Sequence, residues 1–390
     1  FELTAVLDSM PPVVSLSDDH PDASVKSGDV IVITAQFTDN DKINEVPPPA
    51  ISIGSSVVDA PMTKVSDFSW VYTWTVAAGI YGAQKVSINA SDVTGNRNTP
   101  ATGKTEYTIE QLIQKYEYVK QFSGLIYPCG VAVDSTGNVY ATSQDHSIRR
   151  FDASGNPIKK WGSYGSGNGK FYNPAGIAID PAGYVYVADE FNNRIQKFDS
   201  NGNFILKWGS YGSQSAQFYH QFDVAVDFAG YVYVADTLNH RVQKFDSNGN
   251  FIFMFGSFGT GDGQFNRVTA VKVDLSGNIY VTDANNNRIQ KFDSNGNFIL
   301  KWGTAGTGDG QFSYPSNIAL DSAGNVYVSD HNNNRVQKFD SAGNFITQFG
   351  SSGAGSGQFN QPYGIAIDSA GNVYVSDCYN HRVQKFSPRY

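Results

Sequence analysis

A period of 46 or 47 residues repeats across residues 117–390 and constrains the fold more than any other feature of the sequence. In each copy a short apolar run ends in an aspartate, and these aspartates are Asp134, Asp180, Asp227, Asp274, Asp321 and Asp368. The first spacing is 46 residues and the other four are 47. A fixed period of this length is typical of solenoids and propellers, in which one small supersecondary unit is repeated.

Each copy has the pattern of four short strands. The second copy predicts strands at 176–180, 185–189, 194–199 and 204–209, with Asp/Gly turns inside the first and last pairs. Apolar residues lie on both faces of these strands, so one copy cannot bury its own surface. Six copies around an axis would bury both faces of each sheet, whereas a solenoid would need capping repeats at its ends.

The two ends of the repeat region complement each other. The last copy stops at Tyr390 without a fourth strand, and the segment from Tyr118 to Gly124 resembles the fourth strand of the preceding copy, which begins at Phe345. We expect this N-terminal segment to complete the last sheet, so that no edge stays open there. The predicted fold of the region is a six-bladed β-propeller closed by its own first strand.

The stretches YPCGVAVDSTGNVY, WGSYGSGNGKFYNPAGIAID and DHNNNRVQKFDSAGNF also carry a family resemblance. They are similar to NHL repeats, which build six-bladed β-propellers, over residues 116–390. The resemblance implies the fold but no single function, because that family includes ligand binders, scaffolds, ubiquitin-ligase targeting domains and a few enzymes.

Residues 10–108 do not share the repeat. Six alternating apolar segments, at 13–17, 30–37, 50–54, 70–76, 85–90 and 104–109, predict a small β-sandwich. The frame from PPVVSLSDD to VSINASDVTGN resembles the Ig-like modules of archaeal and bacterial surface proteins, with Trp70 or Trp74 in place of their cysteine pair. The predicted organisation is all-β: an arm at 1–9, an Ig-like sandwich at 10–108, a linker of helical character at 109–116 and the propeller at 117–390.

Two sets of residues in this first part suggest binding. The arm alternates apolar residues at Phe1, Leu3, Ala5 and Leu7, so it is either a plain first strand, a frayed tail or a strand that adds to a sheet of another subunit. Loop carboxylates could hold Ca²⁺, the one cofactor suggested by the sequence, or could simply be solvated. They are Asp18, Asp19, Asp22, Asp39, Asp41 and Asp92.

Exceptions to the repeat predict further sites. Asp223 and Lys272 replace small residues in neighbouring inner strands, so they form either a polar channel site or a self-neutralising pair. Cys129 and Cys378 would meet only if the ring closes, and we expect a disulfide there, the alternative being two free thiols. Asn89 begins the sequon Asn-Ala-Ser and is a candidate glycosylation site.

Two repeated patterns are interpreted as structural. The pair Asp189 and Arg194 recurs in five copies and is expected to clamp a loop within each blade rather than to form a ring of binding charges. The glycine-rich stretches such as GTGDGQF are expected to be turns, because neither the Lys-Ser/Thr of a phosphate loop nor a helix follows them.

Composition and charge exclude several classes of protein. The formal net charge is −8 without a basic run, so nucleic acid is not an expected partner. No run of 18 apolar residues is present, so no membrane span is expected. The chain begins at Phe1 without a leader pattern, which indicates either export with removal of a leader or a fragment.

The sequence therefore predicts a non-enzymatic extracellular protein of the cell surface, used for structure or adhesion. It would assemble with itself or with other surface proteins into a filament or surface layer through the arm and the Ig-like module. No zinc site or catalytic triad stands out.

One alternative is a lyase- or lactonase-like propeller enzyme with its site at the channel mouth near Lys272. Another is a propeller that binds a glycan or peptide through Tyr164, Tyr172, Tyr211, Tyr363 and Tyr379.

Overall fold

The computed structural model divides into two compact units, Phe1–Ile113 and Gln114–Tyr390. It describes residues 115–389 throughout. In the first unit it describes residues 13–18, 24–25, 30–38, 50–53, 57–66, 69–75, 82–89, 102–103 and 106–109.

The described strands of the first unit form two five-stranded sheets. In sheet order, the first contains Thr63–Ser66, Ser69–Thr75, Val30–Thr38, Val13–Asp18 and Thr102–Gly103. The second contains Ser24–Val25, Glu106–Ile109, Gly82–Asn89, Ala50–Ile53 and Val57–Pro61. Ile33 and Ala35 in the first sheet and Ile51 in the second are buried, so each sheet has a covered face. The likeness to Ig modules stays a prediction.

The second unit consists of repeated four-stranded antiparallel sheets, and residues 115–389 contain six of them, which we number as blades 1 to 6. Blade 1 contains Val131–Val133, Val139–Ser143, Ser147–Phe151 and Pro157–Trp161. Blade 2 contains Pro174–Ile179, Val185–Asp189, Arg194–Phe198 and Phe204–Trp208. Blade 3 contains Gln221–Val226, Val232–Asp236, Arg241–Phe245 and Phe251–Phe255. Blade 4 contains Val268–Val273, Ile279–Asp283, Arg288–Phe292 and Phe298–Trp302. Blade 5 contains Pro315–Leu320, Val326–Asp330, Arg335–Phe339 and Phe345–Phe349. Blade 6 contains Pro362–Ile367, Val373–Asp377, Arg382–Arg389 and Lys115–Phe122.

A few short elements join these strands. Four 3₁₀ turns follow second strands, at Glu190–Asn192, Thr237–Asn239, Ala284–Asn286 and Cys378–Asn380. A two-residue parallel pair joins Thr304–Ala305 to Gln311–Phe312.

The aspartate that ends each inner strand fixes the turn after it. Asp134 Oδ1 accepts hydrogen bonds from the backbone N–H groups of Thr136 and Asn138, and Gly137 between them has φ +83°. Glycine is favoured there because other residues rarely adopt positive φ. The same Asp-x-x-Gly turn follows every inner strand, which explains why four strands recur with so little variation.

Tyrosines on the second strands join neighbouring blades. Tyr186 of blade 2 is buried and packs with Val232 and Phe245 of blade 3, and its hydroxyl donates to Asp180 at 3.2 Å. Burying a large side chain in this way contributes about 1.5–3 kcal/mol. The equivalent tyrosines, all buried, are Tyr140, Tyr233, Tyr280, Tyr327 and Tyr374. Each blade thus supplies the cover that its neighbour lacks.

The first and last blades meet at a seam. Lys115–Phe122 pairs antiparallel with Arg382–Arg389 and completes blade 6. Phe122 of this strand packs between Tyr374 of blade 6 and Phe151 of blade 1. The backbone N–H of Gly364 also donates to the carbonyl of Cys129 at 2.9 Å across the seam. The first and last of the repeated sheets are therefore in contact, which is consistent with the blades of a propeller.

The prediction of a helical linker at 109–116 is wrong at both ends. Ile109 ends one strand and Lys115 begins another. Tyr116 stacks on Phe349 of blade 5, with ring centroids 4.7 Å apart. Pairing and packing with distant residues therefore override the local helical preference. No helix among the described residues is long and apolar enough to cross a membrane.

Candidate functional site

The first strands of the blades line a central channel of about 190 Å³. Its walls are small and aliphatic side chains, with Lys272 as the one charged residue among the described lining residues. We call the side on which these inner strands begin the upper face, and the region around the axis on that side the upper mouth.

Lys272 does not offer a free charge to the channel. Its Nζ lies 2.6 Å from Oδ2 of Asp223, which is 2% exposed and also accepts from the backbone N–H of Val271 at 3.3 Å. Burial raises the pKa of Asp223, and the Lys272 ammonium opposes that effect. The structure thus joins the two predicted channel residues in one neutralised pair.

The Asp-Arg pairs hold loops, but not the loops expected from sequence. Arg194 Nε donates to Asp189 at 2.7 Å, while its other nitrogens donate to the carbonyls of Ser166, Gly167 and Lys170. The arginine therefore fastens the glycine-rich loop that enters its blade. The same pairing occurs at Asp236/Arg241, Asp283/Arg288, Asp330/Arg335 and Asp377/Arg382, all buried.

Blade 1 has no Asp-Arg pair of this kind, and its acid in this region, Asp145, binds only residues of its own blade. Asp145 accepts from Ser147 at 2.5 Å, from Arg149 at 3.0 Å and from Lys160 at 2.8 Å. Despite partial burial, these donors lower the pKa of Asp145. The departure of repeat 1 from the pattern is thus locally compensated.

The residue just before each inner strand adopts a left-handed backbone conformation. These residues, with φ between 40° and 72°, are Tyr127, Asn173, His220, Arg267, Tyr314 and Gln361. Few non-glycine residues adopt such angles. Each backbone N–H donates to a side chain of the preceding blade; the acceptors are His381, His146, Asn193, His240, Asn287 and Asn334. Three of the six histidines are therefore structural acceptors.

A constant backbone thus presents variable side chains at the upper mouth. Besides the left-handed position, two further positions vary while the rest of the repeat stays nearly constant. From blade 1 to blade 6, the residue after the second strand is Gln144, Glu190, Thr237, Ala284, His331 and Cys378. In the same order, the residue two positions after the left-handed one is Cys129, Ala175, Phe222, Thr269, Ser316 and Tyr363. The predicted site residues included Cys129, Cys378 and Tyr363 at these positions but not Glu190 or Arg267, although aligning the six copies would have exposed the variation.

One side of the upper mouth is acidic. Glu190 is 3% exposed, and its carboxylate lies 2.9 Å from Nδ1 of His220 and accepts from Nδ2 of Asn173 at 2.6 Å. Burial raises the pKa of Glu190, and the hydrogen bonds from His220 and Asn173 oppose this. The acid is therefore fully engaged by its neighbours.

The other side presents hydrogen-bond donors. The Arg267 guanidinium lies 5.7 Å from the ring centroid of Tyr314, and the ring of His331 is 5.7 Å from Tyr314 and 5.6 Å from Tyr363. Nε of Arg267 and the hydroxyl of Tyr363 are buried without a hydrogen-bond partner. Burial raises the pKa of Tyr363, so this hydroxyl stays protonated at neutral pH.

Aromatic rings form the floor of the mouth. Phe222 of blade 3 and Tyr363 of blade 6 come from opposite sides of the propeller, and their ring centroids are 5.5 Å apart at an interplanar angle of 31°. Only residues near the axis can meet across opposite blades. The two rings therefore separate the upper mouth from the channel.

A continuous row of rings leads from blades 1 to 3 to this mouth. We call it the aromatic ribbon; it consists of His146, Tyr164, Tyr172, Phe191, His220, Tyr219 and Tyr211. Successive centroids are 4.8–5.3 Å apart. Tyr164 and Tyr211 are 63% and 65% exposed. Phe258, at the same position in the loop entering blade 4, is 66% exposed and contacts His240 rather than the ribbon.

The ribbon is confined to part of the upper face. At the position of Tyr164 and Tyr211, the loops entering blades 5 and 6 carry Ala305 and Ser352. Of the other tyrosines predicted to bind, Tyr379 packs against Tyr127 at 5.3 Å and Tyr363 lies in the floor.

The predicted disulfide is not formed in the structure. Cys129 and Cys378 are free, buried and close to each other at the seam. Hydrogen bonding with the Cys378 thiol and burial raise the pKa of Cys129. The two thiols are near each other, and no bond joins them in the structure.

Several predicted sites involve residues or side chains outside the described part of the chain. Asp18 ends the strand Val13–Asp18 and Asn89 ends Gly82–Asn89, but their side chains are not described. Asp19, Asp22, Asp39, Asp41 and Asp92, and the arm residues Phe1, Leu3, Ala5 and Leu7, lie outside the described residues. Within the described part of the chain, no three His, Cys, Asp or Glu side chains are placed to hold a metal ion.

Comparison with solved structures shows similarity in fold. A protein of unknown function from Bacteroides thetaiotaomicron matches with a TM-score of 0.58 at 15% identity, over 98% of this chain and 99% of that one. An auxiliary nutrient binding protein from the same organism matches with 0.53 at 14%, over 97% and 98%. A streptogramin B lyase matches with 0.51 at 14%, over 70% and 98%. At these identities the likeness extends to the fold alone.

Comparison by sequence is more local. The rat E3 ubiquitin-protein ligase TRIM71 is 45% identical over 49 residues, which is 13% of this chain and 6% of that protein's length. The NHL repeat model matches residues 171–198, 265–292, 312–339 and 359–386. The chain therefore contains four recognisable NHL repeats within a β-propeller.

Proposed function

We propose that this protein is a non-enzymatic extracellular adhesion protein whose propeller binds a glycan along the aromatic ribbon. The observation that carries the proposal is the ribbon itself: seven rings in contact on the upper face, one of which, His220, also belongs to the upper mouth. Aromatic side chains combine a large apolar face with little conformational freedom, and tyrosine adds a polar edge. A row of pyranose rings has matching apolar faces and hydroxyl edges.

The engagement of the titratable groups supports binding rather than catalysis. Glu190 is held by His220 and Asn173, and Asp223 by Lys272. A general acid or base must be free to exchange a proton with a substrate. The extracellular location and the assembly role of the arm and the Ig-like module are proposals that rest on the sequence.

The test is binding to a panel of immobilised polysaccharides. The double variant Tyr164→Ala and Tyr211→Ser changes the tyrosines in the loops that enter blades 2 and 3. The loops that enter blades 5 and 6 already carry Ala305 and Ser352 at the same position, so the fold of the variant should persist. We expect binding to weaken at least about tenfold, because exposed aromatic anchors dominate such surfaces.

The matched control is Leu275→Ser on the lower face. Leu275 is 83% exposed, and serine occupies its position in three other blades. Binding should be unchanged in this variant. The proposal would be overturned if the wild-type protein bound no polysaccharide, or if the ribbon variant bound as well as the wild type. If the protein bound only unglycosylated peptides, the ligand would be a peptide instead of a glycan.

A second candidate is a propeller enzyme of the lyase kind, favoured by the Glu190–His220 contact at the mouth. A buried carboxylate of raised pKa beside an imidazole is a common arrangement for proton transfer. The streptogramin B lyase of similar fold suggests the substrate to test. Cleavage of a streptogramin B by the wild-type protein but not by Glu190→Gln would establish this function, and no turnover would exclude that substrate.

A further inference from the structure

We propose that the upper mouth recognises the carboxylate of a sugar acid, with Arg267 and Tyr363 as its ligands. This inference rests on the proposed function, because it assigns a chemical class to the glycan that the ribbon would bind. The ribbon would hold neutral parts of the saccharide, and the mouth would select a residue that carries a negative charge.

Two unsatisfied donors define the site. Nε of Arg267 and the hydroxyl of Tyr363 are buried and make no hydrogen bond, although most buried polar groups in folded proteins do. The two belong to one connected set of side chains, since Arg267 contacts Tyr314, Tyr314 contacts His331, and His331 contacts Tyr363. An acceptor that entered between them would satisfy both donors.

The charge of Arg267 favours an anion. No carboxylate in the described part of the chain forms a close ion pair with Arg267, although its charge opposes the burial effect that raises the pKa of Glu190 at the same mouth. Glu190, the acid at the same mouth, already binds His220 and Asn173. An arginine without a partner carboxylate binds oxyanions through charge-assisted hydrogen bonds, which are stronger than neutral ones.

The number of cations favours a carboxylate over a phosphate. One guanidinium supplies one positive charge, and the nearby Glu190 repels a dianion more strongly than a monoanion. His331 does not add a second charge at neutral pH, because burial lowers its pKa. A single negative charge therefore matches the site better than two.

The floor favours a ring attached to that carboxylate. Phe222 and Tyr363 present their rings across the axis, and His331 borders Tyr363. A pyranose ring can lie on such a surface while its carboxylate reaches Arg267. A hexuronate combines these two features.

The backbone at Arg267 also differs from what arginine prefers. Its φ of 72° is the largest of the six left-handed positions, at which asparagine is the more usual residue. Asparagine and glutamine occupy this position in blades 2 and 6, as Asn173 and Gln361. The repeat therefore offers a natural neutral replacement for Arg267.

The experiment compares four saccharides on the full chain by calorimetry: galactose, galacturonic acid, its methyl ester and polygalacturonate. We expect galacturonic acid to bind about tenfold to a hundredfold more tightly than galactose or the ester, since one charge-assisted contact is gained. The preference should decline as salt is added. Comparison of galacturonic acid with polygalacturonate decides whether the ligand is a free acid or part of a chain.

Variants assign the contact to its residues. Arg267→Gln should abolish the preference for the acid, and an unchanged circular dichroism spectrum would show that the fold persists. Tyr363→Phe, which removes only the hydroxyl, should reduce the preference severalfold. The control is Lys301→Gln, which removes an exposed cation of an outer strand that pairs with Asp262. This variant should keep the preference for galacturonic acid.

The outcomes separate the two proposals. Equal binding of galactose and galacturonic acid, or an acid preference that survives Arg267→Gln, overturns this inference and leaves glycan binding intact. Absence of binding to any saccharide overturns both.

Discussion

Nδ1 of His240 accepts a hydrogen bond from the backbone N–H of Arg267 at 3.0 Å. The contact crosses from blade 3 to blade 4 and holds Arg267 in its left-handed conformation. It requires the neutral imidazole, because a protonated Nδ1 has no lone pair to accept with. Asn193, Asn287 and Asn334 make the same contact elsewhere with an amide oxygen, which does not titrate near neutral pH.

Stability should therefore fall on mild acidification. Burial lowers the pKa of His240 from 6.5, against the charges of Asp283 and Asp236. The unfolded chain then binds protons more readily than the folded one, so stability is complete above the unfolded pKa and is lost as the pH falls through the folded pKa. Urea midpoints between about pH 7 and about pH 5 should decrease. His240→Asn should show a shallower decrease, and an identical decrease in both proteins would contradict the role of His240.

The buried Asp-Arg pairs should be more important for folding than an exposed pair. Asp236→Ala leaves Arg241 buried without its carboxylate and should lower the free energy of unfolding by about 3–5 kcal/mol. Asp262→Ala removes the exposed partner of Lys301 and should cost less than about 1 kcal/mol. Denaturant unfolding measures both, and similar losses in the two variants would show that the Asp-Arg pair has no special role.

The channel pair should be replaceable as a unit but not singly. Lys272→Ala leaves Asp223 buried and unpaired, and we expect a loss of about 3–5 kcal/mol in unfolding free energy. Adding Asp223→Gly, the residue of blades 1, 2 and 6 at this position, should restore stability to within about 1 kcal/mol. A double variant that is as unstable as Lys272→Ala would mean that the lysine stabilises through packing rather than charge.

The seam should depend on Phe122. This side chain is buried between blades 6 and 1, so Phe122→Ala should cost about 3–5 kcal/mol. Val119 lies in the same strand but is exposed, and Val119→Ala should change stability by less than about 0.5 kcal/mol. Equal effects in thermal or denaturant unfolding would argue against packing at the seam as the source of closure.

The seam thiols should be able to form a disulfide under oxidising conditions. Cys129 and Cys378 are near each other, but the raised pKa of Cys129 makes its reactive thiolate scarce at neutral pH. After oxidation at alkaline pH, mass spectrometry of a digest should detect two peptides joined by a disulfide between Cys129 and Cys378. The disulfide should raise the free energy of unfolding by up to about 5 kcal/mol. Cys378→Ser should show no such gain, and two thiols that stay available for alkylation after oxidation would disprove the prediction.

Local patterns predicted the blades well because each strand is bounded by its own turn. The aspartate and glycine of a turn such as Asp134 to Gly137 lie within four residues, so their effect can be read along the chain. The seam strand was also predictable, since the missing fourth strand of blade 6 had one obvious replacement.

The functional surface was harder to predict because its residues come together only in three dimensions. Arg194 binds carbonyls more than 20 residues earlier, and Phe222 meets Tyr363 from the opposite blade. The segment around Tyr116 was assigned a helical character because its partner Phe349 is distant in sequence. The variable mouth residues were overlooked for the same reason.

In the proposed binding mode, the left-handed ring of residues separates folding from selectivity. Its backbone is anchored by N–H contacts to the preceding blade, and these contacts do not depend on which side chains stand at the six places. A single codon change at one of them could alter what the protein selects without rebuilding the propeller. Evolution of new preferences on this scaffold would then proceed in small, independent steps around the axis.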